Sequence, residues 1–102
     1  PASAMDIAPG TITGIENGNL IGAVAVNWWL EGYTSTRMLT EAARGAEIPE
    51  GWIDTGQFTV TKDNLDELEE RAKEPEKFFA PQIEELFANG MPETQPIENA
   101  FK

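Results

Sequence analysis

Two adjacent tryptophans, Trp28 and Trp29, directly follow an apolar run from Leu20 to Val26. An indole face can stack against the C–H face of a sugar or a similar ring. Open α/β sheets place such ligands beyond the carboxyl ends of their strands. The alternative role for a tryptophan here is to anchor a helix onto a sheet. Neighbouring residues of a helix point about 100° apart, so one ring can anchor while the other meets a ligand. Carboxylates are the other reactive groups in quantity. The chain holds 18 acids against 7 bases, a net charge of −11 over 102 residues. Nine of those acids and three bases fall within residues 63–85. The stretch from Asp63 to Glu67 lacks the spacing and central glycine of an EF-hand calcium loop, so the run reads as a solvated helix face. Paired acids could do glycosidase chemistry, but nothing selects a pair.

The absences narrow the chemistry further. There is no histidine and no cysteine. This removes Ser-His-Asp and thiol catalysis and any His- or Cys-ligated metal, and it leaves no disulfide. A non-enzyme without cofactor or metal is expected. The acidic balance argues against nucleic-acid binding, which needs clustered Lys and Arg. No apolar run is long enough to span a membrane. The start, Pro1-Ala2-Ser3-Ala4-Met5, carries no signal-peptide pattern, and a first residue other than Met suggests a processed product or a fragment.

Alternating elements must position these groups. Pro9 to Asn17 is predicted as a short helix, with Gly18 just past its end. Leu20 to Val26 is predicted as a strand apolar on both faces, as in a buried parallel sheet. A longer helix follows, with Asn27 at its cap and Gly45 beyond Ala43. Ile48 to Trp52 reads as a loop, and Gln57 to Thr61 as a strand. Asn64 and Glu67 form a capping-box pattern for a third helix that Pro75 ends. A fourth carries Pro81 in its first turn and ends at Gly90. From Met91 the chain is expected to form a loose or draped tail. The order is that of an α/β fold with helices flanking a parallel sheet. Two strands are too few to complete such a sheet. Asp6, ahead of the first helix, reads by itself as a cap or turn residue.

The run from Asp6 to Asn64 resembles the C-terminal part of type I periplasmic sugar-binding proteins, the solute receptors of ABC importers. Asp6-Ile7-Ala8-Pro9 looks like the end of the strand that carries the family's ligand-binding Asp. Gly14-Ile15-Glu16-Asn17-Gly18-Asn19-Leu20 matches its "G-I-x-x-G-x-hydrophobic" turn. Trp28 to Tyr33 stands in place of "P-Y-x-x-G-Y", and Arg44-Gly45, Ile48-Pro49 and Phe58 to Asn64 follow in order. The resemblance covers a little over half the chain. It implies two α/β lobes joined by a three-crossing hinge that closes on a sugar or polyol. The strand ending at Val26 would reach one crossing, the helix from Trp28 would belong to the other lobe, and the strand near Phe58 would lead back. Asp6 would accept hydrogen bonds from vicinal sugar hydroxyls. Val26 falls where the family often has a ligand-binding Gln, and Asn27 could supply an amide instead. Trp28 replaces a common Pro.

On this reading residues 1–90 are the C-terminal portion of a periplasmic-binding-protein-like fold with a helical extension, and 91–102 are an extended tail. Such a portion leaves edge strands that another copy, or the missing part of the fold, would pair. The implied partners are a sugar or polyol and an ABC permease. The implied location is the periplasm, or the outside of a Gram-positive cell. The competing reading is a small acidic module that binds a protein and has no ligand function, with a carboxylate enzyme third.

Overall fold

The computed structural model describes residues 2–100. Pro1, Phe101 and Lys102, at the ends of the expected 1–90 portion and 91–102 tail, lie outside the described residues. The chain forms β1 (Ala2–Met5), α1 (Pro9–Glu16), β2 (Leu20–Val26), α2 (Trp28–Ala43) and β3 (Gln57–Val60). Then come α3 (Leu65–Lys73), α4 (Pro75–Phe78) and α5 (Ala80–Leu86), with single 3-10 turns at Lys62–Asn64 and Ile97–Asn99. It is a mixed α/β protein.

The chain divides into two compact units. The first takes residues up to Asn27 together with Gly56–Phe78, and the second takes Trp28–Thr55 together with the chain from Phe79 on. The backbone therefore passes from one unit to the other three times, after Asn27, after Thr55 and after Phe78.

The first unit contains the sheet, in the order β1-β2-β3. β1 runs parallel to β2, with Ala4 opposite Ala23 and Met5 opposite Val24. β3 runs antiparallel to β2, with Val60 opposite Ala23 and Gln57 opposite Val26. The sheet is thus mixed where a parallel one was expected. The reason is topological. The chain leaves the sheet at the end of β2 and returns at that same end, beside Val26, so β3 can only run back.

Alternation of side chains along a strand sorts the sheet into two faces. Ala4, Ala23 and Val60 share one cross-strand row, and that row belongs to the core formed with Ile15 of α1 and Leu68 of α3. Ile7, Ile12, Leu20, Phe58 and Leu65 pack around it. The row Met5, Val24 and Thr59 lies on the opposite face, where Met5 is exposed.

The link from α1 to β2 has a close-packing requirement. A Cβ on Gly14 would sit 2.8 Å from the Leu20 side chain, so a residue without one lets α1 lie against the strand. Ile15 beside it is buried, and the chain turns at Gly18 with φ of 84°. The Asn17 side-chain oxygen accepts from the Asn19 N–H at 3.0 Å within that turn.

The cap of the third helical segment differs from the expected Asn64–Glu67 pair. Asn64 Oδ1 accepts from the Thr61 N–H at 2.7 Å, and Thr61 Oγ1 accepts from the Asp63 N–H at 3.3 Å. Asn64 Nδ2 also donates to the Thr59 carbonyl at 2.8 Å. Asn64 therefore ties the end of β3 to the helix start rather than capping forward.

The second unit is built on α2. Leu30 and Thr34, one turn apart, are buried, and so is Phe79. Trp29 stacks on Tyr33 (centroids 5.3 Å, 18° between planes) and on Phe79 (5.8 Å, 6°). The segment after Gly90 is pinned to the loop before β3. Trp52 and Gln95 exchange backbone hydrogen bonds of 3.0 and 2.9 Å, Trp52 Nε1 donates to the Pro96 carbonyl at 3.1 Å, and Thr94 Oγ1 donates to the Glu50 carbonyl at 2.6 Å. Gly51 makes this approach feasible: its φ is 117°, and a Cβ there would collide with the Gln95 carbonyl oxygen.

Candidate functional site

Asp6 is the first residue beyond β1, and its φ of 66° makes it the one non-glycine residue with positive φ among those described. Left-handed backbone costs most side chains about 1–2 kcal/mol, and Asp tolerates it better than most. Two features hold the conformation. The Asp6 N–H donates to the Val24 carbonyl at 2.8 Å, which carries the parallel ladder one residue past β1. The chain must then turn at once into α1, whose first turn begins at Pro9. The result is an exposed carboxylate at the carboxyl end of a parallel strand. Strained backbone at such a position is a recurrent feature of ligand sites.

Asn27 ends the neighbouring strand β2. Asp6 and Asn27 thus stand beyond the carboxyl ends of two adjacent parallel strands of the same unit. Their environments differ. Asn27 is only 2% exposed, and its Oδ1 accepts from Arg71 Nη2 at 3.3 Å. The same Nη2 donates to the Val26 carbonyl at 2.7 Å. The amide is held inside the unit, on a guanidinium, while the carboxylate of Asp6 faces solvent.

Trp28 opens the second unit and is 65% exposed. The two tryptophans divide roles as adjacent helical residues must. Trp29 turns inward to its stack with Tyr33 and Phe79, and Trp28 leaves its ring in water. Both border an open groove of about 660 Å³ along α2, together with Gly32, Tyr33, Thr36 and Arg37. Arg37 Nη1 donates to the Tyr33 hydroxyl at 3.2 Å, and its guanidinium carbon lies 4.0 Å from the Phe87 ring centroid. The groove therefore has an aromatic wall and a fixed cation. A flat ligand face can stack there and find a donor at its edge.

The acidic run behaves as a solvated face. Asp66, Glu67, Glu69 and Glu70 are all exposed. Glu69 pairs with Lys73 at 2.6 Å, and that ammonium holds the Glu69 carboxyl below its ordinary range. Among the described residues, no group of three or more acids is gathered so as to hold a metal ion. No helix of the described residues is long and apolar enough to cross a membrane.

Arg71 was the residue hardest to single out from sequence, because it sits in that acidic run. A signal was present in the register. Leu65, Leu68 and Arg71 follow at intervals of three, so Arg71 shares the inward stripe of α3 rather than its wet face. The structure half-buries it, and burial lowers its pKa from the ordinary guanidinium value.

Comparison of the chain with protein-family models, with curated proteins and with solved structures returns no match.

Proposed function

We propose that this chain is the C-terminal portion of a two-lobed, non-enzymatic receptor that binds a sugar or polyol for an ABC-type importer. Its place would be the periplasm, or the outer surface of a Gram-positive cell. The observation that carries the reading is where the chain divides: after Asn27, after Thr55 and after Phe78. The motif resemblance calls for a hinge of three crossings, one at the end of the strand closing at Val26 and one ahead of the strand near Phe58. The chain divides at places that fit both of these, which supports the reading; the further division after Phe78 has no counterpart in the resemblance. Asp6 supports the same reading, as an exposed carboxylate fixed at a strand's carboxyl end and able to accept from two vicinal hydroxyls. Trp28 offers an exposed indole face. The ligand would bind by closure of the two lobes, and the closed form would be what the permease recognises.

A panel of pentoses, hexoses and polyols, titrated calorimetrically into the natively produced protein, tests this. One member should bind at one site per molecule. Absence of heat and of any change in tryptophan emission across the panel, alongside salt-sensitive capture of a basic protein, would replace the proposal by the acidic interaction module.

A further inference from the structure

Basic residues among those described are used in contrasting ways. Arg44, Lys73 and Lys77 pair with acids three or four residues away in the sequence, at 3.4, 2.6 and 3.7 Å, all on the exposed surface. Such pairs are screened and local. Arg71 instead reaches across 45 residues of sequence to the backbone of Val26. A further contact leads on from Arg71. The guanidinium carbon lies 5.6 Å from the centroid of the Phe58 ring. The Phe58 ring in turn meets Phe78 edge to face, 5.7 Å between centroids and 86° between planes.

Each residue on this path borders one of the three passages between the units. Val26 and Asn27 are the last two residues before the first passage. Phe58 is two residues past Gly56, where the chain re-enters. Phe78 is the last residue before the third passage. We propose that Arg71 is a positioning residue that ties all three passages into one base within the first unit, so that they loosen and move together rather than separately.

The chemistry suits arginine. Its planar group can donate in the plane to Val26 O and Asn27 Oδ1 while presenting a face to an aromatic ring, which an ammonium cannot do. It stays charged throughout the physiological range, so the tie does not switch with pH. Hinges commonly absorb their motion in a few residues at element ends, and Asn27, Gly56 and Phe78 are such residues. A shared base converts three independent joints into one degree of freedom. This inference rests on the two-unit receptor reading above, but not on which solute is bound.

Hydrogen exchange on the ligand-free natural protein tests it, with the variants Arg71→Met, Arg71→Lys and Phe58→Leu. Arg71→Met keeps an apolar stem and removes the donors. Segments 24–30, 54–60 and 76–82 should then exchange at least tenfold faster together, while α1 keeps its wild-type protection. Arg71→Lys should give an intermediate rise in the same three segments, and it reports on the proposal even if the Met variant does not fold. Phe58→Leu should also raise 24–30 and 76–82, although Phe58 lies in neither. A rise confined to 24–30, an equal rise everywhere including α1, or no rise in either Arg71 variant would overturn the proposal. The sugar panel is a separate readout. Failure there with a coupled exchange pattern removes the solute and leaves the tie, whereas binding with uncoupled exchange does the reverse.

Discussion

Asp6 carries two loads in this structure, and substitutions can separate them. One is chemical: as a carboxylate it would accept hydrogen bonds from sugar hydroxyls. The other is conformational: it occupies φ of 66° while its N–H bonds Val24. A hydrogen bond to a charged group contributes about 1.5–3 kcal/mol. Asp6→Gly removes the carboxylate and relaxes the backbone requirement, so solute affinity should fall by that amount, about 10- to 150-fold in Kd. Its stability should stay within about 1 kcal/mol of wild type, because glycine adopts positive φ freely but has more freedom to lose on folding. Asp6→Asn keeps tolerance of the left-handed backbone and the side-chain shape, so it should fold like wild type yet lose most of the same affinity. Asp6→Val should lose affinity and also stability, by more than about 1 kcal/mol, since a β-branched side chain is poorly accommodated at positive φ. Calorimetric titration gives affinity, and urea unfolding gives stability. Unchanged affinity in Asp6→Gly and Asp6→Asn would remove Asp6 from any site. A Val variant as stable as wild type would show that the left-handed backbone is not what the position demands.

Further expectations concern both units. Gly51→Ala places a Cβ against the Gln95 carbonyl at φ of 117°, so it should cost about 2–4 kcal/mol from strain and the loss of the Trp52–Gln95 pair; limited proteolysis should then cut after Gly90 in the variant first. Phe79→Ala should cost about 3–5 kcal/mol by emptying a buried ring site against Trp29, with a shift in tryptophan emission on the same unfolding curve. The Glu69–Lys73 pair depresses the folded-state Glu69 pKa, so its contribution is present above the unfolded carboxylate pKa and is lost as pH falls through the folded one. Melting curves of Glu69→Gln should therefore lie slightly below wild type at neutral pH and low salt, and merge with it in acid or at high salt.

Element type was legible wherever local chemistry was strong. β2 and α2 fall on their predicted spans, because a short apolar run bounded by turn residues and a helical repeat closed by Gly45 each allow few alternatives. β1 was not legible. Ala2-Ser3-Ala4-Met5 has little strand propensity of its own, and it is a strand because β2 pairs with it and Ala4 fits opposite Ala23. The cap at Asn64 misled for a related reason. The sequence pattern Asn64–Glu67 is local, but the competing pattern Thr61–Asn64 also satisfies the end of β3. The tail after Gly90 showed no periodicity, and what holds it is the Trp52–Gln95 backbone pair and two side-chain bonds to backbone carbonyls, all between residues far apart in sequence. At the candidate site, helical geometry alone required Trp28 and Trp29 to point apart, and the structure shows that Trp29 is the one stacked on Tyr33 and Phe79. Asp6 was visible as a carboxylate before a helix, but its left-handed backbone was not. Asn27 could be placed at a strand end, yet its burial on Arg71 depends on α3, far along the chain.

Closure around a solute is the central claim, and small-angle X-ray scattering of the natively produced protein, with and without saturating ligand from the sugar panel, tests it most directly. Closure requires a smaller radius of gyration in the bound state at unchanged molecular mass. A bound state with the same radius of gyration as the free protein would contradict it.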